Sequence, residues 1–348
     1  MIKDKVLKIG VIGNSNKGKS FVLSKISKIA LPSGTSIKTE GLSIKYPELE
    51  VYKDRKIVLL DSAGLETPVL KENKVYLIPP NPNSINYNNN NKNTYYDLFK
   101  EKSREKMITE LFLQNYITYN SDILIVVVGL LTYSEQKLLN KIKYNIRRAK
   151  LNKTLYVIHN LMTYTTKQQV EDYINITLKK CATFELEEQI KINLETTREN
   201  GVCFYEKNCY PNVFHLIFAN DYSEAGKYYN EYTLKYLIDI FKTNTDLEGF
   251  DIIKTIKERF KDTSKEIFEK VEGEIIFDES NKDIIKLKTP KEIVLKKCFI
   301  DEIGFPLIKP NNFEPTYNYY KEIIKLYLKL KHLEIVIWNQ ILNIMGNL

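Results

Sequence analysis

Over the first 245 residues, short apolar runs alternate with stretches of helical period. Residues 5–12 predict a strand, and residues 19–30, with Phe21, Leu23, Ile26 and Ile29 on one face, predict a helix. Residues 41–51 alternate through Leu42, Ile44 and Tyr46, and residues 56–61 form a second apolar run, a pair suited to a hairpin. Further along, helical patterns at 101–119, 134–150, 166–181 and 231–241 alternate with apolar runs at 123–131, 154–159 and 213–219. The 134–150 segment ends in Arg147, Arg148 and Lys150, which suits a helix C-terminus. Such alternation predicts an α/β fold, three layers built on a mainly parallel sheet.

Two insertions interrupt the series. Residues 79–93 carry Pro79, Pro80, Pro82 and four consecutive asparagines from Asn88 to Asn91, a composition that predicts a mobile loop. Residues 191–211 form a second excursion. Beyond 245 the texture changes: 246–272 reads as a charged helical linker. After it, 273–348 carries alternating stretches at 274–277, 283–287 and 292–299, which predict a small β or α+β unit, incomplete as it stands. Residues 320–348 are apolar-rich and fit helix or strand equally.

Composition narrows the class. In 348 residues, 43% are hydrophobic and 28% charged, as expected of a soluble globular chain. No apolar run approaches the roughly 18 to 20 residues that cross a bilayer, and the N-terminus lacks a signal-peptide pattern, so a cytoplasmic protein is expected. Cys181, Cys203, Cys209 and Cys298 form no CxxC pair, and His159, His215 and His332 are scattered, which argues for free thiols and against a zinc site. The net charge of +8 comes with lysines spread evenly and with heavy use of Lys, Asn, Ile and Tyr. That pattern indicates compositional bias, and no specific nucleic-acid partner is expected.

The chemistry concentrates in three places. The first is Gly13-Asn-Ser-Asn-Lys-Gly-Lys-Ser20, a GxxxxGKS loop between a strand and a helix. Its backbone from Gly13 through Asn14, Ser15, Asn16, Lys17 and Gly18 reads as a phosphate cradle. Lys19 is expected to reach the β- and γ-phosphates and Ser20 to ligate Mg²⁺, and Phe21 at the start of the helix closes the nucleotide-binding set. The second is Asp61-Ser-Ala-Gly64 after an apolar strand, where Asp61 reaches the Mg²⁺ through water and the Gly64 amide senses the γ-phosphate. The third lies between them: Thr39, preferred over Thr35 because it adjoins Gly41 and the next strand, is a switch threonine for Mg²⁺ and γ-phosphate.

In this order the motifs resemble the translation-factor-class (TRAFAC) P-loop GTPases over roughly residues 5–245. Thr39-Glu-Gly-Leu and Asp61-Ser-Ala-Gly-Leu-Glu66 are similar to guanylate-binding and atlastin-type enzymes. Asn16 in GxxNxGKS is similar to the Era, ferrous-iron-transport and ribosome-assembly GTPases. The resemblance implies GTP and GDP as ligands, Mg²⁺ as cofactor and, through Asn16, a K⁺ ion near the phosphates. It also implies a fourth motif, Asn/Thr-Lys-x-Asp or Arg-Asp, whose Asp accepts two hydrogen bonds from guanine. Here the strand ends in His159-Asn160-Leu-Met-Thr163, so Asn160 is the candidate base reader, with guanine against adenine left open. By position, the fifth element falls at Phe218-Ala219-Asn220, with Ala219 as the amide reading guanine O6.

Hydrolysis is expected to be slow. Leu65 stands where many GTPases orient water with Gln, Glu66 is the nearest substitute, and the loop has no Arg. Transition-state charge falls either to Lys17 folding back over the phosphates or to K⁺ on Asn16. Acceleration by K⁺, a homodimer or a protein effector is expected. The alternatives are an interaction module that hardly hydrolyses, and an ATPase on the same core.

Overall fold

The computed structural model describes residues 2–27, 41–46, 56–67, 69, 90–193, 200–244, 247–272, 276–281, 284–288 and 292–295. Contacts divide the chain into two units, Met1–Thr67 with Leu113–Thr255, and Pro68–Phe112 with Ile256–Leu348.

The first unit is built on a nine-stranded sheet. Its parallel centre comprises β1 (Ile2–Ile12), β3 (Lys56–Ser62), β4 (Ile123–Val128), β5 (Leu155–Leu161) and β8 (Val213–Ala219), in the order β3-β1-β4-β5-β8. Every residue of Ile123–Val128 is buried, as expected of a parallel strand covered on both faces. β2 (Leu42–Lys45) pairs antiparallel with β3, so the hairpin pattern holds. The other edge adds β7 (Asn200–Glu206) and β6 (Leu186–Asn193), both antiparallel. The excursion read at 191–211 therefore contains sheet at residues 191–193 and 200–206: β6 is the polar edge strand, and β7 lies inside it with Cys203, Phe204 and Glu206 buried. A short β9 (Glu248–Phe250) runs antiparallel to the start of β1 and escaped the sequence pattern because three residues carry no period.

Helices α1 (Lys19–Ser27), α3 (Tyr133–Arg148), α4 (Lys167–Tyr173, continuing into a π-helical turn, Ile174–Leu178) and α5 (Glu224–Thr243) follow the predicted order. Helix α2 (Asn90–Asn120) starts earlier than its apolar period. Residues 90–93, read as part of a mobile loop, are helical because Asn costs under about 0.7 kcal/mol per helical position, which a long helix absorbs. The rest of that insertion lies outside the described residues.

Helix α6 (Ile252–Ile267) enters the second unit at Ile256, and within that unit Phe260 stands edge-on to Phe112 at 6.2 Å. Two antiparallel pairs follow: β10 (Phe268–Glu272) with β13 (Glu292–Leu295), and β11 (Ile276–Asn281) with β12 (Ile284–Lys288). The charged segment read as one helix to 272 thus ends as a strand. Residues 296–348 lie outside the description, with Cys298 among them, while Cys181, Cys203 and Cys209 are free thiols.

Behind β5 and β8 runs a buried polar chain. The Leu131 amide donates to the Tyr173 hydroxyl at 3.2 Å, which meets His159 Nδ1 at 2.9 Å. His159 Nε2 meets His215 Nδ1 at 2.9 Å, His215 Nε2 meets Glu206 Oε1 at 3.0 Å, and Lys143 donates to Glu206 Oε2 at 2.9 Å. An N–H donor at one end and a carboxylate at the other fix the direction: each ring accepts at Nδ1 and donates from Nε2. Burial, and for His159 also its neighbour His215, holds both imidazoles below their ordinary value and neutral. Burial alone would raise the Glu206 carboxyl, but the His215 hydrogen bond and the Lys143 ammonium outweigh it and hold it low.

The sign of the pH dependence follows. The unfolded chain takes up a proton at each histidine near 6.5, which the folded chain refuses. Stability is therefore full above that value and falls as pH drops below it, by about 1.4 kcal/mol per pH unit for each histidine. Urea unfolding at pH 7.5, 6.5 and 5.5 will show this decline, and a flat profile would mean that the histidines are not buried neutral.

Candidate functional site

Strand β1 has β3 on one side and β4 on the other, so its C-terminal end opens at the point where the strand order reverses, the usual ligand crevice of such sheets. The loop 13–18 leaves β1 there and enters α1. Asn16 (φ 60°) and Gly18 (φ 84°) adopt left-handed backbone, which Gly takes freely and Asn tolerates better than most residues. A side chain at position 18 would also press on the Asn160 amide and push it off its bond to the Lys17 carbonyl.

Surrounding groups turn the loop's carbonyls outward. Leu65 N donates to Gly13 O at 3.2 Å, Lys19 Nζ to Asn14 O at 3.2 Å, Asn160 Nδ2 to Lys17 O at 2.9 Å and Val22 N to Gly18 O at 2.9 Å. The amides of Asn16 and Gly18 donate to no acceptor among the described residues. This is the backbone arrangement that cradles an anion. Ser15 is an exception within the motif: its amide donates to Leu65 O at 2.8 Å.

The second motif sits against the first. Asp61 pairs in register with Val11 and is 4% exposed. Its charge partly offsets the burial that lowers the Lys19 ammonium below its ordinary value. Gly64 packs on Ser15, where a Cβ would come within 2.6 Å of Ser15 Cα. Ala63 N donates to Gly41 O at 2.7 Å, tying β2's entry to this segment. Thr39 and Thr35 lie outside the described residues.

Ser20 is half-buried, and Phe21 stands edge-on to Phe218 at 6.3 Å. Asn160 reaches the loop rather than solvent, and its Oδ1 is buried with no hydrogen-bond partner among the described residues. Ala219 does not offer its amide: it donates to Asn230 Oδ1 at 2.8 Å, while Asn230 Nδ2 returns a bond to Ala219 O at 3.1 Å. This strand-end clamp commits the amide expected to read O6, and no sequence spacing announces it.

Two further expectations meet competing partners. Lys17 is paired with Glu135 Oε1 at 3.0 Å, so reaching the phosphates requires release of that pair. Glu66, the substitute for a water-orienting Gln, accepts from Asn14 Nδ2 at 3.2 Å and Ser134 Oγ at 2.5 Å. Glu135 is the neighbour that sequence reasoning passed over. Its signal was present as a capping box from Thr132 to Glu135, but nothing along the chain pairs it with Lys17.

The oxygen donors Ser20 and Asp61 suit a hard divalent cation. Among the described residues no group of three or more His, Cys, Asp or Glu could hold a metal. No helix among the described residues is long and apolar enough to cross a membrane.

Residues 8–180 match the family model of the 50S ribosome-binding GTPases. A heat shock protein of Dictyostelium discoideum is 23% identical over 252 residues, 71% of this chain, and the chain spans 33% of that relative's length. Among solved structures, the Arl6 BBS3 small GTPase of Trypanosoma brucei with bound GppNp gives a TM-score of 0.32 at 12% identity, covering 69% of this chain and 99% of that one. Era Y63A of Aquifex aeolicus bound to GDP.AlF4- gives 0.37 at 12% identity, covering 82% and 77%. Those two likenesses are too loose to carry an argument. The family match falls on the cradle and its flanking strands, and over this part the chain is similar to the G domains of P-loop GTPases.

Proposed function

We propose that this chain binds GTP with Mg²⁺ at residues 13–20 and hydrolyses it slowly, cycling between GTP and GDP as a switch. The observation that carries the reading is the cradle itself: outward-bonded carbonyls, amides of Asn16 and Gly18 without acceptors, and the Lys19 ammonium buried beneath them. Triphosphate oxygens would replace the Asn14 carbonyl at Lys19 and restore the charge that burial disfavours. Ser20, and Asp61 through water, would hold the Mg²⁺, which supplies charge neutralisation to the phosphates. Thr39 joins this set on its motif alone.

Asn160 Oδ1 supplies an acceptor for a base donor. Guanine and adenine both offer one, so the family match favours guanine here more than this atom does. With the Ala219 amide committed, recognition of O6 would fall to another group or be forgone. K⁺ on Asn16 keeps a place as an accelerator to be tested, because exposed Asn16 sits at the left-handed turn of the loop.

A second reading has its own observation. Leu65 is 5% exposed, its backbone is bonded to the loop on both sides, and Glu66 is engaged by Asn14 and Ser134. Neither residue orients a water in this arrangement, which favours a module that binds nucleotide and signals through a protein effector or a second copy with little turnover.

Titration with fluorescent GTP and ATP analogues in Mg²⁺ tests the proposal. Guanine-selective binding that weakens about a hundredfold in Lys19→Ala is expected, from the loss of two charge-assisted hydrogen bonds. Adenine preference, or binding indifferent to Lys19, would overturn it. Single-turnover hydrolysis in K⁺ against Na⁺ separates the two readings: slow turnover supports the switch, and none above the uncatalysed rate supports the module.

A further inference from the structure

The loop between β4 and α3 carries a carboxylate with an unusual load. Glu135 is 1% exposed at its side chain, and Oε1 accepts from the Gly129 amide at 2.9 Å while pairing with Lys17 Nζ at 3.0 Å. Oε2 accepts from the Thr132 amide at 2.8 Å and from the Thr132 hydroxyl at 3.0 Å. The Lys17 stem lies over Gly129, where a Cβ would meet Lys17 Cδ at 3.4 Å. On its main chain, Lys17 is held again by Asn160 at 2.9 Å. The middle of the phosphate loop is thus gripped by its side chain from one direction and by its carbonyl from another. The turn that does the gripping is anchored in its own right, because Leu131 N ends the buried chain through Tyr173, His159, His215 and Glu206 to Lys143.

We propose that Glu135 is a positioning residue for nucleotide binding: it holds Lys17, and through it the phosphate loop, in the shape that accepts an anion. The inference rests on the nucleotide reading above. Electrostatics gives the pairing its direction. A nearly buried carboxylate beside a phosphate cradle would repel the ligand unless a cation covered it, and Lys17 is that cover. The ammonium therefore acts on Glu135 rather than over the phosphates, and the two residues are interdependent.

A double-mutant cycle on the full chain decides this. Dissociation constants for a Mg²⁺–GTP analogue would be measured for wild type, Lys17→Met, Glu135→Gln and the double variant, all at a temperature where circular dichroism shows them folded. Each single change is expected to weaken binding about tenfold, with Lys17→Met the worse because it strands a buried charge. The double variant is expected to bind no more weakly than Lys17→Met, a coupling of about tenfold. Lys17→Arg, which keeps the pair, is expected to restore binding to within a few-fold of wild type. Additive effects, or lowered urea stability with unchanged affinity, would overturn the proposal. Tighter binding by Glu135→Gln would also overturn it, since a freed Lys17 would then be working at the phosphates. If wild type shows no Lys19-dependent binding, the nucleotide reading itself fails, and this one with it.

Discussion

A backbone that must point amides at an anion cannot hold that shape by its own hydrogen bonds, because its carbonyls would need partners in the same small volume. The surrounding structure exists to resolve that constraint. Leu65 takes the carbonyl of Gly13, Lys19 that of Asn14, Asn160 that of Lys17 and the first turn of α1 that of Gly18. These partners come from the end of β3, the loop itself, the end of β5 and α1. Only a parallel sheet with β1 between β3 and β4 brings those ends together at one edge.

The same constraint explains the glycines that matter. Gly18 takes a left-handed turn and also yields space to Asn160, and Gly64 yields space to Ser15. Both are positions of close approach between segments distant in sequence. A methyl group at either would push a holding element off the loop, and carbonyls would be released into the cradle. Energetically, a buried carbonyl left without its donor costs about 1 to 3 kcal/mol, comparable to the gain from a bound phosphate contact.

Much of this was legible in the sequence because it depends on local pattern. Strand, glycine loop and helix follow one another within a few residues at 5–30, and the parallel core reads as apolar runs of the right length. The Asp61–Gly64 segment was recognisable at its strand end for the same reason. What the sequence could not show is pairwise commitment across the fold. Ala219 is the expected base-reading amide, yet Asn230, in the helix that follows, already holds it. Lys17 looks like a spare charge until Glu135 is brought beside it. The strands at 186–193 and 200–206 resemble an insertion because the edge strand β6 is charged and polar, while β7 buries Cys203 and Phe204 beside the charged Glu206 and so shows no clean apolar run. Thr39 remains a reading of the motif alone.

The buried chain behind β5 gives these commitments a common origin. His159 and Asn160 are consecutive on β5, and neighbouring strand residues point to opposite faces. His159 is turned into the polar chain that secures Leu131, while Asn160 is turned to the phosphate loop. One dipeptide thus fixes both sides of the grip on Lys17: Asn160 directly at its carbonyl, and His159 indirectly through Tyr173, the β4–α3 turn and Glu135. This offers a physical reason why the strand end departs from the usual guanine-binding motif. Its residues are engaged in shaping the phosphate loop, and a residue whose polar groups are spent on the protein has fewer left for the base. Discrimination between bases would then be modest even where affinity for the phosphates is high, since the two depend on different atoms of the same strand end.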